Sequence, residues 1–323
     1  MSFTTSMKEE ITKKEINQIE ALNELSSFFR FSGQIKKDRI VLTIENASVA
    51  RRIYKDIKSN FVVNVKITVR IQKRFRVKQI YILEVYEQTD KILEALNIQH
   101  NGKTILPSDN FLDTEEEKIA YLKGAFLASG SINNPSTSGY HLEFSSSLKK
   151  DGIYISNLLK EFNINSKVIK RNNKYMTYIK SSEMISDLIK MFGAINSLFY
   201  FEDIRIYRDH KNMVNRLNNC EIANQEKILK TGLKQLEDIK YIVDNDLLGL
   251  LDENIREAIK YREAYPEVSL SELADIISKE TGHSIGKSGI NHYFIKIKKL
   301  IEKHKNNKRE WIYGWNMFNE WNS

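Results

Sequence analysis

The sequence predicts an α+β fold, in which one α/β unit occurs twice and is followed by an all-α unit. Three observations carry this. Leu25 to Ile35 (LSSFFRFSGQI) aligns without gaps on Leu122 to Ile132 (LKGAFLASGSI) at an offset of 97 residues, with Leu, Phe, Ser, Gly and Ile matched. A repeat this long implies two copies of one supersecondary unit, not a solenoid of short repeats. Each copy is followed by the same succession of strand-like and helix-like patterns. After residue 209 the strand patterns stop and helical spacing takes over.

Taken in order, Lys8 to Phe31 reads as an amphipathic helix leading into the first copy. Arg39 to Glu45 (RIVLTIE) reads as a strand, and Ala47 to Lys58 as a helix. Phe61 to Arg70 and Gln79 to Tyr86 are rich in β-branched residues, as strands are, and Glu87 to Leu96 is a further helix. Asn97 to Leu112 is a connector broken by Gly102 and Pro107. In the second copy Thr114 and Glu117 form a capping box, with Glu115 and Glu116 suited to the positive end of a helix dipole. Ile119, Leu122 and Phe126 form the apolar stripe, Gly124 and Ala128 lie four apart on one face, and Gly130 is expected to stop the helix in a left-handed conformation. A strand at Tyr140 to Phe144, a helix at Lys149 to Phe162, a hairpin around Asn172-Asn173 and a helix at Ser182 to Phe192 follow. Each copy is therefore expected to run α-β-β-α-β-β-α. The expected divisions are 1–105 and 106–209 for the two copies, 210–250 for a helical linker, 251–304 for the all-α unit (motif about 268–302) and 305–323 for a basic, aromatic tail.

Composition narrows the function classes. At 323 residues, 41% hydrophobic and 28% charged, the chain is long enough for two or three domains with their own cores. No apolar run approaches the ~20 residues of a membrane span, and the first ten residues, MSFTTSMKEE, do not read as a signal peptide. Cys220 is the only cysteine, so no intrachain disulfide or cysteine-rich zinc site is expected. It fits a reducing cytoplasm and reads as a small core residue. A net charge of +8 and a pI near 9.2 favour a polyanionic partner. There is no P-loop, no GxGxxG and no plausible Ser/His/Asp order, and His292 lacks companions at metal-ligand spacing.

Leu122-x-Gly124-x-x-x-Ala128-x-Gly130 resembles the LAGLIDADG signature of homing endonucleases. That resemblance implies two antiparallel sheets related by a pseudo-two-fold axis, with the paired signature helices side by side. It also places a metal-binding acid just before each terminal glycine. Here those positions are Ser32 and Ser129. Hard divalent cations need carboxylate oxygens, so no cleavage and no metal are expected. Val65 to Lys78 (VKITVRIQKRFRVK) holds six basic residues and no acid. Lys66, Arg70, Arg74, Arg76 and Lys78 share one parity and would form a phosphate-tracking face on a regular strand; a turn near Gln72 would break that parity instead.

In the all-α unit, Ser269 and Glu272 form a capping box, with Leu270, Leu273, Ala274 and Ile277 as the buried stripe. After a turn-rich stretch from Gly282 to Gly286 comes KSGINHYFIKIKKLI, in which Ile290, Phe294, Ile297 and Ile301 face inward. Asn291, Lys296 and Lys299 are expected to face out, with His292 at the margin. Lys287 to Arg309 holds eight Lys/Arg and one acid. Polar residues in the first turn and lysines beyond suit the recognition helix of a helix-turn-helix; an ordinary helical hairpin is the plainer alternative.

The duplicated, acid-free region followed by NRLNNCEIAN, YREAYPEVSLSEL and KSGINHYF resembles the bacterial WhiA family from about Ile16 to Lys303. Lys287, Ser288, Gly289, Asn291 and His292 match its KSGxNH motif. The turn from Lys279 to Gly286 is longer than the family's and lacks its prolines. The resemblance implies a cytoplasmic, nucleoid-associated regulator without cofactor. It would read double-stranded DNA at promoters and serve cell division, chromosome segregation or, in some relatives, sporulation. The competing classes are a nuclease or RNA maturase, and a protein-binding adaptor of the division machinery that uses the tail.

Overall fold

The computed structural model describes the backbone of residues 2–321 except Lys37, residues 73–77 and Ser138, and their side chains up to Arg309 except Lys78. It divides into two compact units, Met1–His210 and Lys211–Ser323.

The first unit opens with α1 (Phe3–Lys13). The first repeat then runs α2 (Gln18–Ser32), β1 (Gly33–Ile35), β2 (Ile40–Ile44), α3 (Ala47–Asn60), β3 (Val65–Gln72), β4 (Lys78–Val85) and α4 (Thr89–Ala95). A two-stranded ribbon, β5 (Gln99–His100) and β6 (Lys103–Thr104), turns on Asn101-Gly102 in the connector. The second repeat runs α5 (Glu115–Ser129), β7 (Gly130–Ile132), β8 (Leu142–Ser146), α6 (Lys149–Glu161), β9 (Lys167–Arg171), β10 (Lys174–Ile179) and α7 (Ser182–Met191). Both are α-β-β-α-β-β-α, and both sheets are antiparallel with equivalent orders, β1-β2-β4-β3 and β7-β8-β10-β9. Asn172 and Asn173 take positive φ, as a tight hairpin turn requires.

The expected helix from Lys8 to Phe31 is two helices. Asn17 caps α2 by accepting from Glu20 N–H at 2.8 Å, and Arg52 donates to the Lys14 carbonyl at 2.5 Å across the break. The expected left-handed Gly130 is also corrected. Gly33 and Gly130 have φ of −75° and −73° and lead straight from helix into strand. A Cβ there would overlap the Phe29 carbonyl or the Phe126 side chain, so glycine is required by the tightness of the exit.

α2 and α5 pack against each other. A Cβ on Gly124 would overlap the Glu24 carbonyl and Ser27 Oγ, and Ser27 is the repeat equivalent of Gly124. Meeting at matched positions is the mark of a local two-fold. Leu25, Phe28, Leu42 and Leu83 from one repeat share a single core with Leu122, Phe126, Leu142 and Phe144 from the other. Beside it Glu24 is fully buried, with Arg52 Nη2 donating to its Oε2 at 3.3 Å and Arg52 Nε donating to Asp56 Oδ2 at 2.9 Å.

α8 runs 50 residues from Ile195 to Asp244 and absorbs the stretch expected to begin at His210. Residues 209–227 are exposed all round, which leaves Cys220 on the surface and not in a core as expected. In the second unit α9 (Glu253–Ala264), α10 (Leu270–Thr281) and α11 (Lys287–Trp321) close a separate core. Ile239 and Ile242 of α8 meet Ile255, Ile259, Leu273, Ile277, Ile290, Phe294 and Ile297 there. The side chains of the aromatic tail from Glu310 onward lie outside the described residues.

Candidate nucleic-acid interface

α10 and α11 form a helix pair held by a defined turn. Ser269 and Glu272 complete the capping box: Ser269 N–H donates to Glu272 Oε2 at 2.7 Å, and Glu272 N–H donates to Ser269 Oγ at 3.2 Å. These bonds hold the Glu272 carboxyl below its usual range. Gly282 ends α10 at φ +77°, the left-handed position that favours glycine. Ser278 Oγ donates to the Ile285 carbonyl at 3.2 Å and accepts from Ile285 N–H at 2.9 Å, so the turn is pinned back on α10.

With Ile290, Phe294, Ile297 and Ile301 inward, α11 presents Lys287, Ser288, Asn291, His292, Lys296 and Lys299 to solvent. His292 is fully on the outer face, beyond the margin where spacing put it. Lys296 pairs with Asp252 at 3.3 Å, an exposed contact worth at most ~1 kcal/mol. Gly289 is half-buried, and a Cβ there would crowd Ile285 at 2.9 Å, so its missing side chain makes room for the turn. Sequence reasoning overlooked Ile295, 42% exposed on this same helix among polar neighbours. The surplus of apolar residues in YFIKIKKLI over what one inward stripe can bury was its signal.

In the first unit, burial of Leu83 and Val85 identifies the core face of β3–β4, which places Lys66, Thr68 and Arg70 on the opposite face. β3 ends at Gln72 and pairs back with β4 at Lys78, so a turn does divide the basic run. Lys78 holds a register position on the face of Lys66 and Arg70; Arg74 and Arg76 lie outside the described residues. On the equivalent face of the second sheet stand Lys167, Arg171 and Lys174, a basic row that sequence reasoning did not single out. These faces are mixed: Glu84 pairs with Arg39 at 3.7 Å, and Glu143 with His141 at 2.9 Å.

At the ends of the paired helices Ser32 Oγ donates to the Phe28 carbonyl at 2.7 Å, and Ser129 Oγ to the Ala125 carbonyl at 3.3 Å. Both hydroxyls are thus turned onto their own helices. The Lys8 ammonium donates to the Leu127 carbonyl at 3.0 Å near the end of α5, with burial pushing its pKa down to about 8 against the pull of Glu45. Among the described residues no cluster of His, Cys, Asp and Glu is arranged to hold a metal ion.

A duplicated LAGLIDADG-type α/β fold with serine at both acid positions, joined to a helix-turn-helix, defines the class. The family descriptions "WhiA N-terminal LAGLIDADG-like domain", "WhiA LAGLIDADG-like domain" and "WhiA C-terminal HTH domain" match residues 18–99, 118–211 and 214–301. The chain is 40% identical over 313 residues to the probable cell division protein WhiA of Exiguobacterium sibiricum, covering 95% of this chain and 98% of that one. With the same protein of Bacillus mycoides it is 40% identical over 309 residues, covering 94% and 97%. The crystal structure of full-length DUF199/WhiA from Thermatoga maritima superposes with a TM-score of 0.54 at 25% identity, over 94% and 99% of the two chains. The chain belongs to the WhiA family. No helix among the described residues is long and apolar enough to cross a membrane.

Proposed function

We propose that this protein is a sequence-specific regulator that binds double-stranded DNA at promoters in the nucleoid, serves cell division or chromosome segregation, and cleaves nothing. The observation that carries the reading is the outer face of α11. Ser288, Asn291 and His292 stand in its first two turns and Lys296 and Lys299 beyond them, while the inward face is locked to α10. An exposed asparagine on such a helix can pair bidentately with adenine in the major groove. Ile295 suits the thymine methyl group, and the lysines suit phosphates. The serines at the helix ends and the lysine beside them support the non-catalytic half of the reading.

Binding titrations at one fixed salt concentration, on a preferred site and on random DNA, test it. Asn291→Ala should cost ~1–3 kcal/mol on the preferred site and far less on random DNA. Lys299→Ala should weaken both by similar factors. Both side chains are exposed, so the melting temperature should barely move. An unchanged ratio of specific to nonspecific binding in Asn291→Ala would remove α11 as the reader.

A further inference from the structure

We propose that the second unit carries a phosphate-binding pocket at the N-terminus of α10, built around the buried guanidinium of Arg262. A cleft of about 400 Å³ lies there, walled by Asn224 and Lys227 of α8, the first residues of α10, Arg262 and Lys287. Among the described residues its lining holds three cations, Lys227, Arg262 and Lys287, and no acid. Glu272, the acid of α10's first turn, is folded back onto Ser269 N–H and does not line it.

Arg262 is 1% exposed. Its Nη1 donates to the carbonyls of Tyr265, Pro266 and Val268 at 3.2, 3.4 and 2.8 Å. Its Nε, fully buried, has no hydrogen-bond partner, and no carboxylate pairs with it among the described residues. Burial alone pushes its pKa down. The Phe294 ring, 5.8 Å from the guanidinium, and the three carbonyls compensate only part of its desolvation, and an anion in the adjoining cleft supplies the missing counter-charge.

The start of α10 points to the same ligand. Glu272 N–H is taken by Ser269 Oγ and Leu273 N–H by the Ser269 carbonyl. The N–H groups of Leu270 and Ser271 have no acceptor within the helix, as at any helix start, and the helix dipole favours negative charge there. Backbone N–H donors, a buried arginine and two lysines suit a tetrahedral oxyanion carrying more than one charge. The volume exceeds one phosphate and leaves room for an attached sugar. The ligand is therefore a phosphate group, supplied by the DNA backbone or by free phosphate or a nucleotide. Lys287, which both lines the cleft and opens α11, favours the backbone. Only that choice of source rests on the DNA-binding reading.

The test uses the full chain, with Lys227→Gln as the main variant and Arg262→Lys as a second, each checked by thermal melting. Inorganic phosphate is titrated against chloride at constant ionic strength. Wild type should show a saturable rise in melting temperature at millimolar phosphate, and Lys227→Gln should need at least about five times more. A non-saturating rise shared by all forms is the general salting effect and counts against the pocket. In parallel, the salt dependence of DNA binding is measured. Lys227→Gln should shallow the slope by ~0.9, and phosphate should compete with DNA. Success in the phosphate arm alone assigns the pocket to a free ligand; success in the DNA arm alone assigns it to the backbone. If the chain binds no DNA, the phosphate arm still decides the pocket, and only the regulator reading falls. No saturable phosphate effect together with an unchanged slope would overturn the proposal.

Discussion

Glu24 shows at the scale of one residue how much a buried charge governs. Burial pushes its carboxyl up to about 7, although Arg52 pulls the other way. The folded state therefore holds a proton that the unfolded chain gives up in the ordinary carboxylate range. The stability this contributes is fully present at acid pH and is lost as pH rises through about 7. Glu24→Gln, a neutral isostere, should flatten the fall in stability between about pH 4.5 and 7 by up to ~1.4 kcal/mol per pH unit. Melts of wild type and variant across that range check it, and parallel curves would refute it. The chain offers no sign of this in advance: Glu24 sits in ALNELSS, a pattern that fits an exposed glutamate equally well. Asn291 was readable, because the four inward residues of α11 leave it only one direction. Lys8 and Arg262 were not, since their meaning comes from groups over a hundred and several residues away respectively, brought together by packing.

At the scale of the element, the strands that could be read were the longer runs rich in apolar and β-branched residues. β1 and β7, three residues each, were invisible because they begin on glycines that look like helix stops. The break between α1 and α2 was missed for a related reason: four residues with ordinary helical propensity are turned by an Asn17 cap and a tertiary bond from Arg52. The basic strand was half readable. Parity placed Lys66 and Arg70 together correctly, while the hairpin's division of the run depends on pairing that parity cannot show. Lys66→Gln with Arg70→Gln should weaken binding to every DNA sequence by a similar factor and shallow the salt slope by ~1.8, at ~0.9 for each lost phosphate contact. The acids Glu84 and Glu143 on these faces make the measurement decisive, because a mixed face can also be merely solvated. An unchanged slope would assign β3 to solvent.

At the scale of the whole molecule, the duplication was legible because a gapless match runs through the paired helices, whose matched residues are mostly buried, into the short strands that follow them. The same pairing bears on catalysis. A two-fold arrangement that brings Ser32 and Ser129 to the ends of adjacent helices supplies hydroxyls where a divalent metal needs carboxylates, and both hydroxyls already bond to backbone carbonyls. Lys8 adds a basic group beside the end of α5, and any fraction that is protonated repels a metal ion further. Plasmid and linear DNA incubated with the full chain in Mg²⁺ or Mn²⁺ should therefore show no nicking above a protein-free control. Restoring acids through Ser32→Asp with Ser129→Asp should still give no cleavage while Lys8 remains, and metal binding should improve when Lys8→Ala is added. Metal-dependent cutting that co-fractionates with the wild-type chain and disappears in Ser32→Ala plus Ser129→Ala would show that the serines themselves serve a reaction, and the non-catalytic reading would fail.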